Sequence, residues 1–173
     1  MSNQQPPIVT NRLSLSPIAD TDIHHVYSGL SNPKVIKHYG VSYDSLEATR
    51  AQMEWFAKAE QCWWAIRSAD NQTFYGAGGI NDIDYDTGTA EIGLWLLPPF
   101  WGKGIMTEAM PLITNYGMEE LGLTRIEGFV ESENTGCKRA LAKLDFRYER
   151  TIEETDPETK KVVMVDVYAT TKP

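Results

Sequence analysis

Between residues 90 and 109 the chain reads Ala-Glu-Ile-Gly-Leu-Trp-Leu-Leu-Pro-Pro-Phe-Trp-Gly-Lys-Gly-Ile-Met-Thr-Glu-Ala. Residues 90–97 read as a strand, and Pro98-Pro99 stops it abruptly, because proline cannot donate to a strand ladder. Gly102-Lys103-Gly104 then forms a small loop. A helix follows, carrying Ile105, Ala109, Leu112, Ile113 and Tyr116 at helical spacing. Such a helix start has backbone N–H groups without intrahelical partners and a partial positive charge. The two glycines would let a diphosphate approach the backbone, and Lys103 adds a charge nearby. A Gly-x-Gly by itself is equally well a plain tight turn. A triphosphate-binding loop is disfavoured, since Ile105-Met106 stand where a lysine and a hydroxyl residue belong. A dinucleotide fingerprint fails for want of a third glycine and of strands alternating with helices.

The rest of the chain supplies the surroundings of this segment. Residues 1–11 read as a loose lead-in and residues 12–171 as one domain. Leu13, Leu15 and Pro17 mark a first strand, and Asp20 is the expected cap of a helix ending near Leu30. Ser31-Asn32-Pro33 break the chain before a second helix over about residues 45–60. Strands are expected over 63–68, 74–83 and 90–97, with polar turns between them. Pro111 is expected to kink the helix after the glycine loop near Thr107 without ending it, and Gly122 to stop it. A strand over 125–130, a helix over 134–144 and a closing hairpin turning at Asp156-Pro157 complete the order. The predicted fold is α/β (α+β), with a central mixed, mostly antiparallel sheet of about seven strands and about four flanking helices.

Composition narrows the function classes. The 173 residues suit one domain with a core of its own, and the formal charge of −8, with no basic stripe visible, argues against nucleic-acid binding as the main activity. An acidic surface suits cationic partners, although solubility explains it equally well. Cys62 and Cys137 lie far apart without metal-ligand spacing, so neither a disulfide framework nor a metal site is expected. The first ten residues lack a signal-peptide pattern, and no apolar run approaches the ~20 residues that cross a bilayer. A cytoplasmic protein with no membrane partner is the expectation.

Several stretches, taken in order, resemble the GNAT superfamily of N-acetyltransferases, and within it the ribosomal-protein N-terminal (RimJ/RimL-like) group. They are Thr10-Asn11-Arg12-Leu13-Ser14-Leu15, Ser31-Asn32-Pro33-Lys34-Val35 with His38-Tyr39-Gly40, Ala90 to Leu96, Trp101-Gly102-Lys103-Gly104 with Thr107-Glu108-Ala109, Asn134-Thr135-Gly136-Cys137, and Lys143-Leu144-Asp145-Phe146. Trp101 replaces the superfamily's Gln or Arg and reads as a mark of the subgroup. Met106 replaces a Gly or Ala, and Asp145 a glycine. Leu141 stands where many relatives carry a tyrosine acid.

The resemblance implies acetyl-CoA as co-substrate and no metal. Its pantetheine arm would bond to backbone at Leu94, Trp95 and Leu96, and its diphosphate to amides of Trp101, Gly102, Lys103, Gly104, Ile105 and Met106. Asn134 would cap the last helix and could also bond the pantetheine. The amine would attack the thioester directly, which calls for a neutral amine, a stabilised oxyanion and a proton for the thiolate. Glu91 is the candidate base, acting through a water, with an ordinary strand-edge charge as the alternative. Cys137 is the candidate acid, because a helix N-terminus lowers a thiol pKa; a buried small residue is the equal alternative. His38, Tyr39, Trp55, Trp64 and Glu153 are the candidate acceptor walls, although aromatics in such places are more often core.

The acceptor that the resemblance implies is an amine. A peptide α-amine is roughly a tenth neutral at pH 7 and a lysine amine well under a thousandth, which favours a peptide N-terminus for a site with one base. A small amine such as a polyamine or aminoglycoside is the alternative substrate, and a non-catalytic acyl-CoA-binding module the alternative class. The resemblance also allows a homodimer.

Overall fold

The computed structural model describes residues 5–156 and 159–173. Within them the order is β1 (Ile8–Val9), β2 (Leu13–Pro17), α1 (Ile23–Leu30), α2 (Pro33–Ile36), α3 (Leu46–Phe56), β3 (Cys62–Ser68), β4 (Phe74–Asp84), β5 (Thr89–Leu96), α4 (Ile105–Glu119), β6 (Arg125–Glu131), α5 (Thr135–Lys143), β7 (Arg147–Thr155) and β8 (Val162–Thr171). The strands form one mixed sheet in the order β1-β2-β3-β4-β5-β6-β8-β7. Every pair is antiparallel except β5–β6. The α/β class expected from the sequence is therefore the observed one, with β1 and the short α2 as additions among the described residues.

Both additions have local causes. Ile8 and Val9, in the expected lead-in, pair with Leu15 and Ser14, and the Trp64 indole donates to the Pro6 carbonyl at 3.0 Å. Asn32 accepts from the Lys34 amide at 2.9 Å and Pro33 occupies the first helical position, so the expected break contains one helical turn. Asp20 is not a helix cap. A 3-10 turn over Asp20–Asp22 precedes α1, and the Asp22 carboxylate accepts from the Ala19 amide and pairs with Arg67. Ser45 caps α3 by accepting from the Ala48 amide at 3.0 Å. Helix α4 runs through Pro111 unbroken. Residues 1–4 of the lead-in, and Pro157 in the expected hairpin turn, lie outside the described residues.

Alternation along the strands sorts the core into two layers. On one face Leu13, Leu15, Trp64, Ile66, Ile80 and Ile126 pack with Ile105, Ala109, Met110 and Ile113 of α4 and Leu141 of α5. On the other, Trp63, Ala65, Phe74, Ala77 and Trp95 pack with Val26 and Leu30 of α1 and Met53 and Phe56 of α3. Adjacent tryptophans thus end up on opposite sides of the sheet.

The parallel pair β5–β6 is short. Its register runs from Thr89↔Arg125 to Ile92↔Gly128 and stops, although β5 continues to Leu96 and β6 to Glu131. Beyond Ile92 and Gly128 the strands separate, so the β6 side of residues 93–96 faces no strand.

Candidate active site

A cavity of about 590 Å³ opens at this separation. Its lining comes from both faces of the sheet. Trp63, Asn81, Glu91, Gly93 and Phe129 belong to the α1–α3 side, together with His38, Tyr39, Tyr43, Gln52 and Trp55. Ile92, Leu94, Met106, Met110, Asn134, Cys137 and Leu141 belong to the α4–α5 side. The gap between β5 and β6 is thus a passage through the sheet, with a helical layer at each end.

Glu91 lines this passage one residue before the β5–β6 pairing ends. Its cross-strand neighbour is Asn81, whose Nδ2 donates to Glu91 Oε2 at 3.3 Å. Burial, and then the nearby carboxylates Asp82, Glu127 and Glu154, push the Glu91 carboxyl up to about 7. A group with that value exchanges a proton near neutral pH, which is what a general base requires.

Asn134 accepts from the Cys137 amide at 3.2 Å, the expected cap of α5. The helix start is pinned to β8 by buried Asp166, which accepts from Ser132 at 2.6 Å and from Thr151 at 2.8 Å and pairs with Lys138 at 3.0 Å. The expected lowering of the Cys137 thiol is not found. Burial pushes it up to about 11, overriding the helix terminus. A thiol that weak would protonate a thiolate of ordinary pKa near 8.5 only uphill, by about 3 kcal/mol.

The acceptor-side candidates divide. His38, Tyr39 and Trp55 line the cavity. His38 Nδ1 lies 2.5 Å from Glu131 Oε2, tying the segment after α2 to the last residue of β6, beyond the end of its pairing with β5. Burial raises the Tyr39 phenol, which is therefore neutral. Trp64 is not a wall: it is 0% exposed, on the opposite face, edge-on to Tyr116. Glu153 is not a wall either, being exposed on edge strand β7. Sequence reasoning missed Trp63, Asn81 and Phe129. The place of the first two on the Glu91 face follows from strand register, since Trp63 pairs with Gly79, two residues from Asn81, and Asn81 pairs with Glu91.

The glycine loop lies outside the cavity lining, next to Met106. Gly102 and Gly104 adopt φ of 73° and 77°, conformations that glycine takes without strain. Arg12 Nη2 donates to the Lys103 carbonyl at 2.7 Å and Arg12 pairs with Glu108, fastening the loop to the residue before β2. The amides of Gly102, Lys103, Gly104, Ile105 and Met106 make no backbone hydrogen bond among the described residues. The Trp101 amide is already given to the Pro98 carbonyl at 3.1 Å, so it is not available to a ligand as expected. Trp101 Nε1 donates to the Leu96 carbonyl at 2.8 Å, so that carbonyl is occupied too. The side chains of Trp95 and Leu96 are buried in opposite core layers, leaving only their main chain for an extended ligand.

Comparison with known proteins identifies the fold and the family. Residues 12–147 match the acetyltransferase (GNAT) domain family. The chain is 28% identical to the uncharacterized N-acetyltransferase YoaA of Bacillus subtilis, over 97% of this chain and 98% of that one. It is 30% identical to the uncharacterized N-acetyltransferase p20 of Bacillus licheniformis, over 93% and 92%. Among solved structures, a GNAT-family acetyltransferase from Bacillus anthracis superposes with a TM-score of 0.83 at 23% identity, covering 95% of this chain and 98% of that one. A spermidine N-acetyltransferase from Vibrio cholerae, in complex with CoA and spermine, superposes with a TM-score of 0.84 at 16% identity, covering 94% and 96%. A match to that family spans most of the chain, and relatives named N-acetyltransferases align over nearly all of it: the chain belongs to the GNAT acetyltransferases and is an N-acetyltransferase.

Proposed function

We propose that the chain transfers an acetyl group from acetyl-CoA to the α-amine of a peptide or protein, as a member of the ribosomal-type (RimJ/RimL-like) group. The observation that carries this reading is Glu91, a carboxyl at about 7 inside a passage joining the two faces of the sheet. A base of that strength can deprotonate an α-ammonium of pKa ~7.7–8.0 nearly without cost, whereas a lysine ammonium at ~10.4 would be a markedly uphill donor.

The residues present fit the co-substrate. The main chain of residues 93–96, apart from the occupied Leu96 carbonyl, suits an extended arm with amide groups, and the free amides of residues 102–106 with Lys103 suit a diphosphate. The thioester supplies an activated acetyl group. Glu91 takes the proton of the ammonium, directly or through a water, from the α1–α3 side of the passage. Asn134 holds the start of α5 against the α4–α5 side and lines the same space. Cys137 is given no proton-transfer step, because its thiol is held too weak an acid; as the C–S bond breaks, the proton that the acylated nitrogen sheds goes to the departing CoA thiolate.

The second reading is a small polyamine acceptor. The likeness of fold to the spermidine enzyme and the glutamates Glu54 and Glu91 in the lining favour it. Thiol release from acetyl-CoA, measured with peptides bearing different first residues and with polyamines, decides between the two. Release with peptides and not with polyamines supports the α-amine reading, and the reverse pattern replaces it. Tight CoA binding with no release for any amine would leave a non-catalytic CoA-binding module.

A further inference from the structure

The α1–α3 wall of the passage carries two polar atoms that the chain leaves unsatisfied. Trp63 Nε1, a donor, and Asn81 Oδ1, an acceptor, are buried without a hydrogen-bond partner among the described residues. Trp63 is 2% exposed. Both residues line the cavity with Glu91. Unsatisfied buried polar groups are costly, and in a native chain such a pair calls for an explanation.

The surroundings hold both atoms in place. A Cβ at Gly79 would lie 2.4 Å from Trp63 Cγ, and one at Gly93 2.7 Å from Trp63 Cζ2, so the indole lies directly on two glycines. Phe56 and Trp55 close over it, with ring centroids at 5.3 and 6.0 Å. Wedged in this way, the indole cannot swing to another acceptor. The Asn81 amide is oriented by its other end, since its Nδ2 is given to Glu91. A Cβ at Gly93 would also lie 3.4 Å from Asn81 Oδ1, so both orphan atoms belong to the patch around that glycine. Immediately after Asn81, β4 bulges: Asp82 takes φ of 54° and the register shifts before Asp84. Bulges of this kind re-aim side chains beside active sites.

One donor and one acceptor beside a base define a complementary ligand. A primary amine that is about to attack has two N–H bonds and one lone pair. One N–H can go to Glu91 and the other to Asn81 Oδ1, leaving the lone pair free for the thioester carbon. The indole N–H then lacks only a neighbouring oxygen, and an α-amino-acyl group places a carbonyl next to its amine. A polyamine offers N–H groups but no oxygen, and would leave the indole unsatisfied.

Resting on the acetyl-transfer reading above, we propose that Trp63 and Asn81 recognise the amine-carbonyl unit of an α-amino-acyl acceptor. The indole donates to the carbonyl oxygen and the Asn81 carbonyl accepts from the amine.

The test uses two acceptors, alaninamide and isopropylamine, which share the amine carbon and methyl group and differ by the carboxamide. With the full chain and acetyl-CoA, kcat/KM per neutral amine is expected to favour alaninamide by about tenfold or more. Trp63→Phe keeps an aromatic ring over Gly79 and Gly93 but removes the N–H, and should bring that ratio to within about twofold of unity. Equal kcat/KM for the two amines in the native chain overturns the proposal, whatever the variant does. So does a preference that survives Trp63→Phe undiminished. Acetylation of other amines with none of alaninamide overturns this inference alone, whereas absence of thiol release with every amine overturns the acetyl-transfer reading and this inference with it.

Discussion

Asn81 and Glu91 meet across the antiparallel pair β4–β5, with the amide of one donating to the carboxylate of the other at 3.3 Å. The contact fixes which oxygen of Glu91 stays free for the passage. It also ties the candidate base to a strand that bulges one residue later.

Glu91→Gln is expected to lower kcat/KM by about a hundredfold or more, the scale of a lost general base. The base works only as a carboxylate, so activity of the native chain should fall as pH drops through about 7. Ionisation of an α-amine adds its own slope over the same range. The variant should keep only the amine's slope, and a pH profile of kcat/KM separates the two; an unchanged profile would remove Glu91 from the mechanism.

The same substitution has a stability signature of opposite sense. A carboxyl raised in the folded state binds its proton more tightly there than in the unfolded chain. The stability this contributes is fully present below the ordinary value of 4.5 and is lost as pH rises through about 7. Glutamine is neutral throughout. The melting temperature of Glu91→Gln relative to the native chain should therefore climb between pH 5 and pH 8; a gap that shrinks over that range would contradict the raised value.

Cys137→Ala should leave kcat within about threefold of the native value, since a thiol pushed up to about 11 is a poor acid for the leaving thiolate. A loss of about a hundredfold, in single-turnover measurements with CoA affinity unchanged, would return the thiol to the mechanism.

Trp64→Ala should destabilise the fold by about 3–5 kcal/mol in urea unfolding, because a fully buried indole leaves a large cavity. Its effect on the KM of the folded enzyme for the acceptor should be small, the opposite of what a pocket wall would show.

Gly104→Ala should weaken CoA binding, because a Cβ at φ of 77° costs about 1 kcal/mol and shifts the loop amides. Lys103→Ala should weaken it as well, and more at low salt than at high salt. Titration calorimetry with CoA measures both; full affinity in the two variants would move the diphosphate elsewhere.

Much of this was legible in the residues. Pro98-Pro99 and the two glycines dictate how β5 ends and α4 begins, and Asn134 declares the cap of α5. Other features depend on relationships that a linear reading does not contain. Trp63 and Trp64 are equally apolar neighbours, and only the pairing of β3 with β4 decides which of them faces the passage. The Cys137 thiol is set by burial between elements far apart in sequence, which outweighs the local helix terminus that suggested the opposite shift. Glu153 looked like a wall because it lies in the closing hairpin, but β7 is the outermost strand of the sheet. Asn81 drew no notice because its significance lies in a partner it lacks.

The early end of the β5–β6 pairing at Ile92 and Gly128 gives the two substrates different exposure to mutation. On the reading above, the co-substrate arm meets peptide groups, which every residue type carries, so that attachment persists through any substitution at 94–96 that the two core layers accept. The amine meets an indole, an amide and a carboxyl that single base changes can erase. A lineage built on this scaffold can therefore exchange acceptors by altering a few side chains on the α1–α3 wall, while its acetyl donor stays the same.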